Sequence, residues 1–484
     1  MKITAFTLIL SFLFIGATLS NAQMTKKNNP LHTKIDNYLT QGIGNGFSGA
    51  MLVVKNGKVI INEGYGMADK ENGITNTPNT VFDIGSNTKQ FTGAAILKLV
   101  QLGKLKTSDS IIKYFPNIPD DKENITIHQL LTHSSGLIET IGNDFDHVPT
   151  EEFFKKVFAS KLLHQSGSAY AYSNIGYSIL ARIIELTSGE TYEAFLHQHL
   201  FKPLGMMQTG YLNPNWNVTT LAKGYVRNVM NIGSTVMRYK EDQKVSWHLK
   251  GNGGINSTQN DMLKWMHALS SNTILTKSLF EAYTTPYVSN ARKSFHTSYG
   301  WGITSSDRGA KRITHNGSNG GFSHTIIWIP EDELIIVYAT NSNSPKVGRL
   351  AYAVEKIIFD PEFVPTPIRK NPYFLVFDFI KNHSSDQAEE LYNTIEKDHK
   401  ADFEDSEVFN RIGYMIMDED ITWAIELFRK NTLLFKEEGN TWDSLADAYL
   451  ANGQKKEAIH SLKKAIALNY EGASEKLEKT LEKE

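Results

Sequence analysis

A chain of 484 residues is too long for one hydrophobic core, because single cores stop growing at roughly 250 to 300 residues, so two folded domains are expected. Lys and Arg number 50 against 52 Asp and Glu, and the basic residues are dispersed, which argues against nucleic acid as a partner. Apolar residues at 40% and charged residues at 21% exclude wholesale disorder and fibrous repeats, and a cysteine count of 0 excludes disulfides, thiolate metal sites and a cysteine nucleophile.

Lys2 is followed by an apolar run from Ile3 to Leu19 and then by Ser20-Asn21-Ala22-Gln23, whose small residues suit a signal peptidase. Residues 1–22 are therefore read as a secretion signal cut after Ala22, with the protein secreted across the inner membrane to the periplasm. A retained membrane anchor is the alternative. Phe47 to Val54 and Lys58 to Glu63 are β-branched, apolar runs separated by Asn56-Gly57, a hairpin signal. Helical stretches follow, among them Gln90 to Leu102, with Phe91, Ala94, Ile96, Leu97 and Val100 ahead of Gly103. Thr325 to Ile329 and Leu334 to Ala339 flank Pro330-Glu331-Asp332-Glu333 as a second strand pair. Strands at both ends with helices between predict an α+β domain over residues 31–360, its antiparallel sheet built from both ends beside a helical subdomain.

Val347 to Phe359 reads as a helix, and the prolines at 361, 365, 367 and 372 mark residues 361–372 as a linker. Residues 373–484 predict a small all-α domain. There, Trp442, Leu445, Ala446, Tyr449, Ala458, Leu462 and Ala465 fall at the offsets of a helix-turn-helix repeat, with a looser copy in Phe409, Gly413, Ala424 and Phe428. This pattern resembles the tetratricopeptide repeat and implies a surface for a protein partner; a plain helical cap is the alternative.

The chemistry is concentrated in Ser86-Asn87-Thr88-Lys89, at the start of the helix that runs to about Leu102. Residues three apart share a helix face, so the Ser86 hydroxyl and the Lys89 amine can meet. A hydroxyl becomes a nucleophile when a neighbour takes its proton, and a partly buried lysine can do so. The same spacing recurs at Ser110 to Lys113 and Ser461 to Lys464, so the tetrad alone says little. Ser86 is set apart by Tyr172-Ser173-Asn174 and His315-Asn316-Gly317 downstream, whereas Tyr211-Leu212-Asn213, followed by Pro214, reads as a loop.

These segments, with Phe82 to Thr88, His133-Ser134-Ser135-Gly136-Leu137, Gly253 to Thr258 and Tyr299-Gly300-Trp301-Gly302, resemble the serine β-lactamases and penicillin-binding proteins over residues 31–360. The likeness extends to class C β-lactamases, D,D-peptidases and related esterases. It implies a β-lactamase/transpeptidase-like fold with Ser86 as nucleophile, Lys89 sharing its proton, and Tyr172, as phenolate, acting as base and then acid. It implies Asn174 as a ligand of the substrate amide and of Lys89, and the backbone N–H groups of Ser86 and Ser318 as an oxyanion hole. Gly317 would let an edge strand approach the substrate, His133 is read as structural, and Trp301 and Phe322 as packing or cleft-lining residues.

His315 stands where many β-lactamases place Lys, and an imidazole is only partly charged near neutrality. The leading expectation is thus a hydrolase of D-amino-acid peptides or small esters and amides, acting through an acyl-enzyme on a small-molecule or peptide substrate. β-Lactam hydrolysis is the second reading. The third is a catalytically inactive penicillin-recognising module with a partner-binding tail, against which the intact Ser86, Lys89 and Tyr172 count. No His-Glu-x-x-His is present and His197-Gln198-His199 stands alone, so no metal and no cofactor are expected.

Overall fold

Asn56 and Gly57 take φ of 51° and 68°, the left-handed backbone that a two-residue hairpin turn requires. They reverse the chain between β1 (Gly49–Lys55) and β2 (Lys58–Tyr65), with Lys55 opposite Lys58. This computed structural model describes residues 29–343 and 349–482; the signal read in residues 1–22 lies outside the described residues. Six later strands join the hairpin: β3 (Val288–Ser289), β4 (His296–Thr297), β5 (Gly302–Ser305), β6 (Lys311–Asn319), β7 (Phe322–Ile329) and β8 (Leu334–Thr340). Their order across the antiparallel sheet is β2-β1-β8-β7-β6-β5-β4-β3. Gly49 lies opposite Thr340, so the first and last strands of this sheet in chain order pair inside it, as the α+β reading expected.

The apolar runs are continuous because both faces of the central strands are covered. Leu52, Val54, Ile326, Trp328, Ile335 and Val337 point into one core, and Met51, Val53, Ile327, Ile329, Leu334 and Ile336 point into the other. Each such aliphatic side chain contributes roughly 1.5–3 kcal/mol on full burial. The second core is closed by α1 (Pro30–Ile43), whose first turn is capped by the Asn29 side chain, and by a helix over Leu350–Phe359. Two residues of the helix expected from Val347, 347 and 348, lie outside the described residues. The first core receives α2 (Thr88–Gln101) and α3 (Asn174–Ser188), the helices that carry the reactive side chains.

The chain divides into two compact units, residues up to 226 with 230–369, and 227–229 with 370 onward. The proline-rich stretch belongs to the first of these as far as residue 369. Phe363 and Ile368 pack on the second core, Lys34 Nζ donates to the Pro361 carbonyl at 2.6 Å, and Asn45 Nδ2 donates to the Ile368 carbonyl at 2.8 Å. The second unit is helical, with antiparallel pairs Ser406–Ile416/Ile421–Leu434 and Gly439–Ala451/Lys455–Ala467. Gly413 admits the Phe428 ring, since a Cβ there would lie 2.5 Å from it.

A first unit ending at Asp360 should therefore be about 2 kcal/mol less stable than one ending at Arg369, from the lost burial of Phe363 and Ile368. Urea midpoints measured on the two would check this, and equal midpoints would show that the proline-rich stretch contributes nothing to the fold.

Candidate active site

Gly85 takes φ 51° and starts a single 3-10 turn, Gly85–Asn87, that leads into α2. Ser86 thus sits in a tight turn before the α-helix, still three residues from Lys89 and on the same side. Ser173 N-caps α3, its Oγ accepting from Gly176 N at 3.1 Å. That cap puts Tyr172 on the extended chain before the helix and Asn174 in its first turn. Both reach the same point: Tyr172 OH donates to Ser86 Oγ at 2.8 Å, and Lys89 Nζ lies 3.1 Å from Ser86 Oγ and 2.8 Å from Asn174 Oδ1. The third partner of Lys89 is the Asn252 carbonyl, at 2.7 Å.

Lys89 is fully buried, with carbonyl and hydroxyl partners and no carboxylate in contact. Burial holds its ammonium well below the usual lysine range, only partly offset by Glu139 and Asp144 at longer reach, so the neutral amine is accessible. Burial pushes the Tyr172 phenol up, against a smaller opposite effect of its hydrogen bond to Ser86. With its proton in place, Tyr172 donates to Ser86 Oγ, whereas the resemblance implied a phenolate there. Burial and the nearby Lys89 push the His315 imidazole down to about 3, with the Asn316 hydrogen bond acting the other way. Its Nδ1 lies 2.8 Å from the Asn316 carbonyl, so Nδ1 carries the proton and Nε2 is left as an acceptor. Burial and Lys89 both favour the neutral form of this half-buried side chain, where a partly charged imidazole was expected.

The oxyanion groups are placed by a backbone contact. A Cβ on Gly85 would lie 2.6 Å from Ser318 N, and one on Gly317 would lie 2.0 Å from the Ile84 carbonyl and 2.9 Å from Ser86 N. Gly317 thus serves the approach of β6 to the nucleophile turn, which corrects the expectation that it clears room for substrate. β6 pairs with β5 up to Thr314 and has an open edge from His315 onward, so Gly317 lies on an edge segment as expected. Ser86 N and Ser318 N are brought to one place because neither glycine has a side chain.

A cavity of about 360 Å³ opens beside these groups, walled by Tyr170, Tyr172, Phe295, Trp301 and Tyr352, with His315 at its rim. Among the described residues that line it, none is Lys, Arg, Asp or Glu. Phe322, by contrast, packs in a small core with Phe82 and Ala222. Tyr211 donates to the Gly253 carbonyl at 2.9 Å and so supports the loop that carries Asn252. His133 accepts from Ser173 N at 3.0 Å and stacks on Tyr172 with ring centroids 4.4 Å apart, a structural role that holds the phenol in place. Sequence reasoning missed the Asn252 carbonyl, for which the only signal was the run of glycines around it.

Gly317→Ala should lower covalent labelling of Ser86 by a fluorophosphonate by about 100-fold or more, because separating the two N–H groups forfeits an oxyanion donor. Labelling kinetics on folded protein checks this, and a wild-type rate would show that the two amides do not act together.

Residues 35–357 match the β-lactamase family. The chain is 31% identical over 326 residues to PbpX of Bacillus subtilis (strain 168), covering 67% of this chain and 78% of that protein. It is 31% identical over 322 residues to the protein flp of Staphylococcus aureus (strain MW2), covering 62% of this chain and 61% of that protein, so it spans under two thirds of that relative. Its fold is similar to that of the D-amino acid amidase from Ochrobactrum anthropi SV3, with a TM-score of 0.57, 22% identity, and coverage of 68% of this chain and 98% of that one. The chain belongs to the β-lactamase family of serine hydrolases.

Proposed function

We propose that this protein hydrolyses amide or ester bonds of small substrates, D-amino-acid peptides and amides or simple esters, through an acyl-enzyme on Ser86. The observation that carries the reading is the position of Ser86 Oγ between Lys89 Nζ at 3.1 Å and Tyr172 OH at 2.8 Å. In acylation, Ser86 Oγ bonds to the substrate carbonyl carbon while its proton passes to the Lys89 amine. The carbonyl oxygen takes the electron pair and is held by the N–H groups of Ser86 and Ser318. As the intermediate collapses, Tyr172 gives its proton to the departing amine or alcohol and becomes a phenolate beside the new ammonium, whose nitrogen lies 4.8 Å from its ring centre. A water then attacks the acyl carbon and returns a proton to Tyr172, while Lys89 returns one to Ser86 Oγ. All groups end as they began.

The neutral imidazole at 315 and the uncharged aromatic cavity support substrates that bind without a free carboxylate beside Ser86. The similarity to a D-amino acid amidase is consistent with this, since an amide presents an uncharged end. β-Lactams and peptides with a free C-terminus carry a carboxylate, for which the described residues lining the cavity offer no Lys or Arg.

Ser86→Ala should abolish covalent labelling and turnover; labelling at the wild-type level would assign the nucleophile elsewhere. His315→Lys should raise kcat/KM for β-lactams and D-Ala-D-Ala peptides relative to that for neutral esters by about tenfold, because the new cation binds a carboxylate that the esters lack, while any weakening of Lys89 as a base slows both classes alike. A hydrolysis screen across the three substrate classes measures both, and equal changes on esters and carboxylates would place His315 in the proton relay instead.

A further inference from the structure

We infer that Asp83 is a positioning residue that clamps the two halves of the oxyanion hole together. The inference rests on the serine-hydrolase reading above. Asp83 is 1% exposed and has a divided set of partners. Its Oδ1 accepts from Gly85 N at 2.7 Å, at the start of the turn that carries Ser86. Its Oδ2 accepts from Asn319 Nδ2 at 2.7 Å, at the tip of β6 next to Ser318, and from Thr235 Oγ1 at 2.8 Å. One carboxylate therefore grips the residue before one oxyanion amide and the residue after the other, the same two segments that touch through Gly85 and Gly317.

No other chemistry is available to it. Asp83 reaches Ser86 only through the Gly85 amide, and both of its oxygens are engaged by donors of the fold, so it acts on the site through those segments. Burial raises its carboxyl to about 6, against the three hydrogen bonds, so the fold keeps an anion in a dry site at a cost to stability. An asparagine of the same shape can accept from Gly85 N through Oδ1, but its Nδ2 donates where Oδ2 accepted, so the Asn319 amide and the Thr235 hydroxyl must both turn over to receive it, and the charge that strengthens the three bonds is lost. Only a carboxylate accepts from all three groups as they stand, and it spans two segments far apart in sequence.

An oxyanion hole acts on the tetrahedral state and little on the bound ground state. Asp83→Asn should therefore slow acylation by a 4-nitrophenyl ester about tenfold to 100-fold, less than the loss of a whole donor, with KM within about twofold of wild type. Affinity for phenylboronic acid, which forms a tetrahedral adduct on Ser86, should fall by the same factor. Asn319→Ala removes only the β6 arm from a half-buried tip and should give a smaller loss of the same kind, so the idea remains testable if Asp83→Asn does not fold. Acylation and boronate affinity at wild-type levels in folded Asn319→Ala, or losses confined to KM, would overturn the clamp while wild-type labelling of Ser86 continued. Wild-type protein that cannot be labelled at Ser86 would overturn the hydrolase reading and this inference with it.

Discussion

The site depends on an approach of two backbones that admits no side chain between them. The turn holding Ser86 and the open end of β6 touch through Gly85 and Gly317, and any Cβ on either would overlap main-chain atoms of the other. Main-chain donors placed this way need no reorganisation when charge develops on a substrate oxygen, which is what makes them effective in a dry site. The contact also explains the sheet. β6 is anchored between β5 and β7 over its first half, and β7 is anchored by β8, which pairs with β1. The nucleophile turn hangs from the helical side through Phe82 and Asp83, which pair with Ser257 and Asn256. The two ends of the domain must be assembled before the oxyanion donors can meet.

Within that frame, the charge state of Lys89 divides the work. A carboxylate in contact would fix the ammonium form, because an ion pair in a low-dielectric setting strongly favours both charges. Asn174, Asn252 and Ser86 instead surround the nitrogen with dipoles, which orient it without holding the proton there. Tyr172, half-buried and stacked on His133, is held toward its protonated form by desolvation. One residue is poised to receive a proton and the other to give one, and Ser86 Oγ touches both.

Much of this was legible in the sequence. Asn56-Gly57 announced the hairpin because that turn geometry accepts few other residues, and the paired strands near residue 330 did the same for the other end of the domain. Ser86, Lys89, Tyr172 and Asn174 were legible as a set because their chemistry demands those residue types, and the structure brings them within hydrogen-bonding distance. What was not legible arises from burial and from contacts between distant segments. The shift of His315 toward its neutral form depends on desolvation and on Lys89, 226 positions away by residue number. The role of Gly317 could not be separated from substrate access without knowing that Ile84 lies against it. Asp83 looked like one more letter of the Phe82 to Thr88 segment, and the proline-rich stretch looked like a linker because proline marks irregular backbone whether or not it packs.

The state of position 315 is tied to that of Lys89, and this constrains how the site can recognise a substrate. A permanent cation at 315 would draw a carboxylate into the cleft, yet it would also repel the Lys89 ammonium and depress its proton affinity further, since like charges at close range disfavour each other's charged form. The present imidazole feels that repulsion already, for Lys89 is among the causes that hold it neutral. Carboxylate recognition and the basicity of Lys89 therefore compete through a single through-space interaction. With a 315 side chain that favours its neutral form and an aromatic wall free of Lys and Arg among its described residues, this arrangement sets no further cation beside Lys89 among those residues.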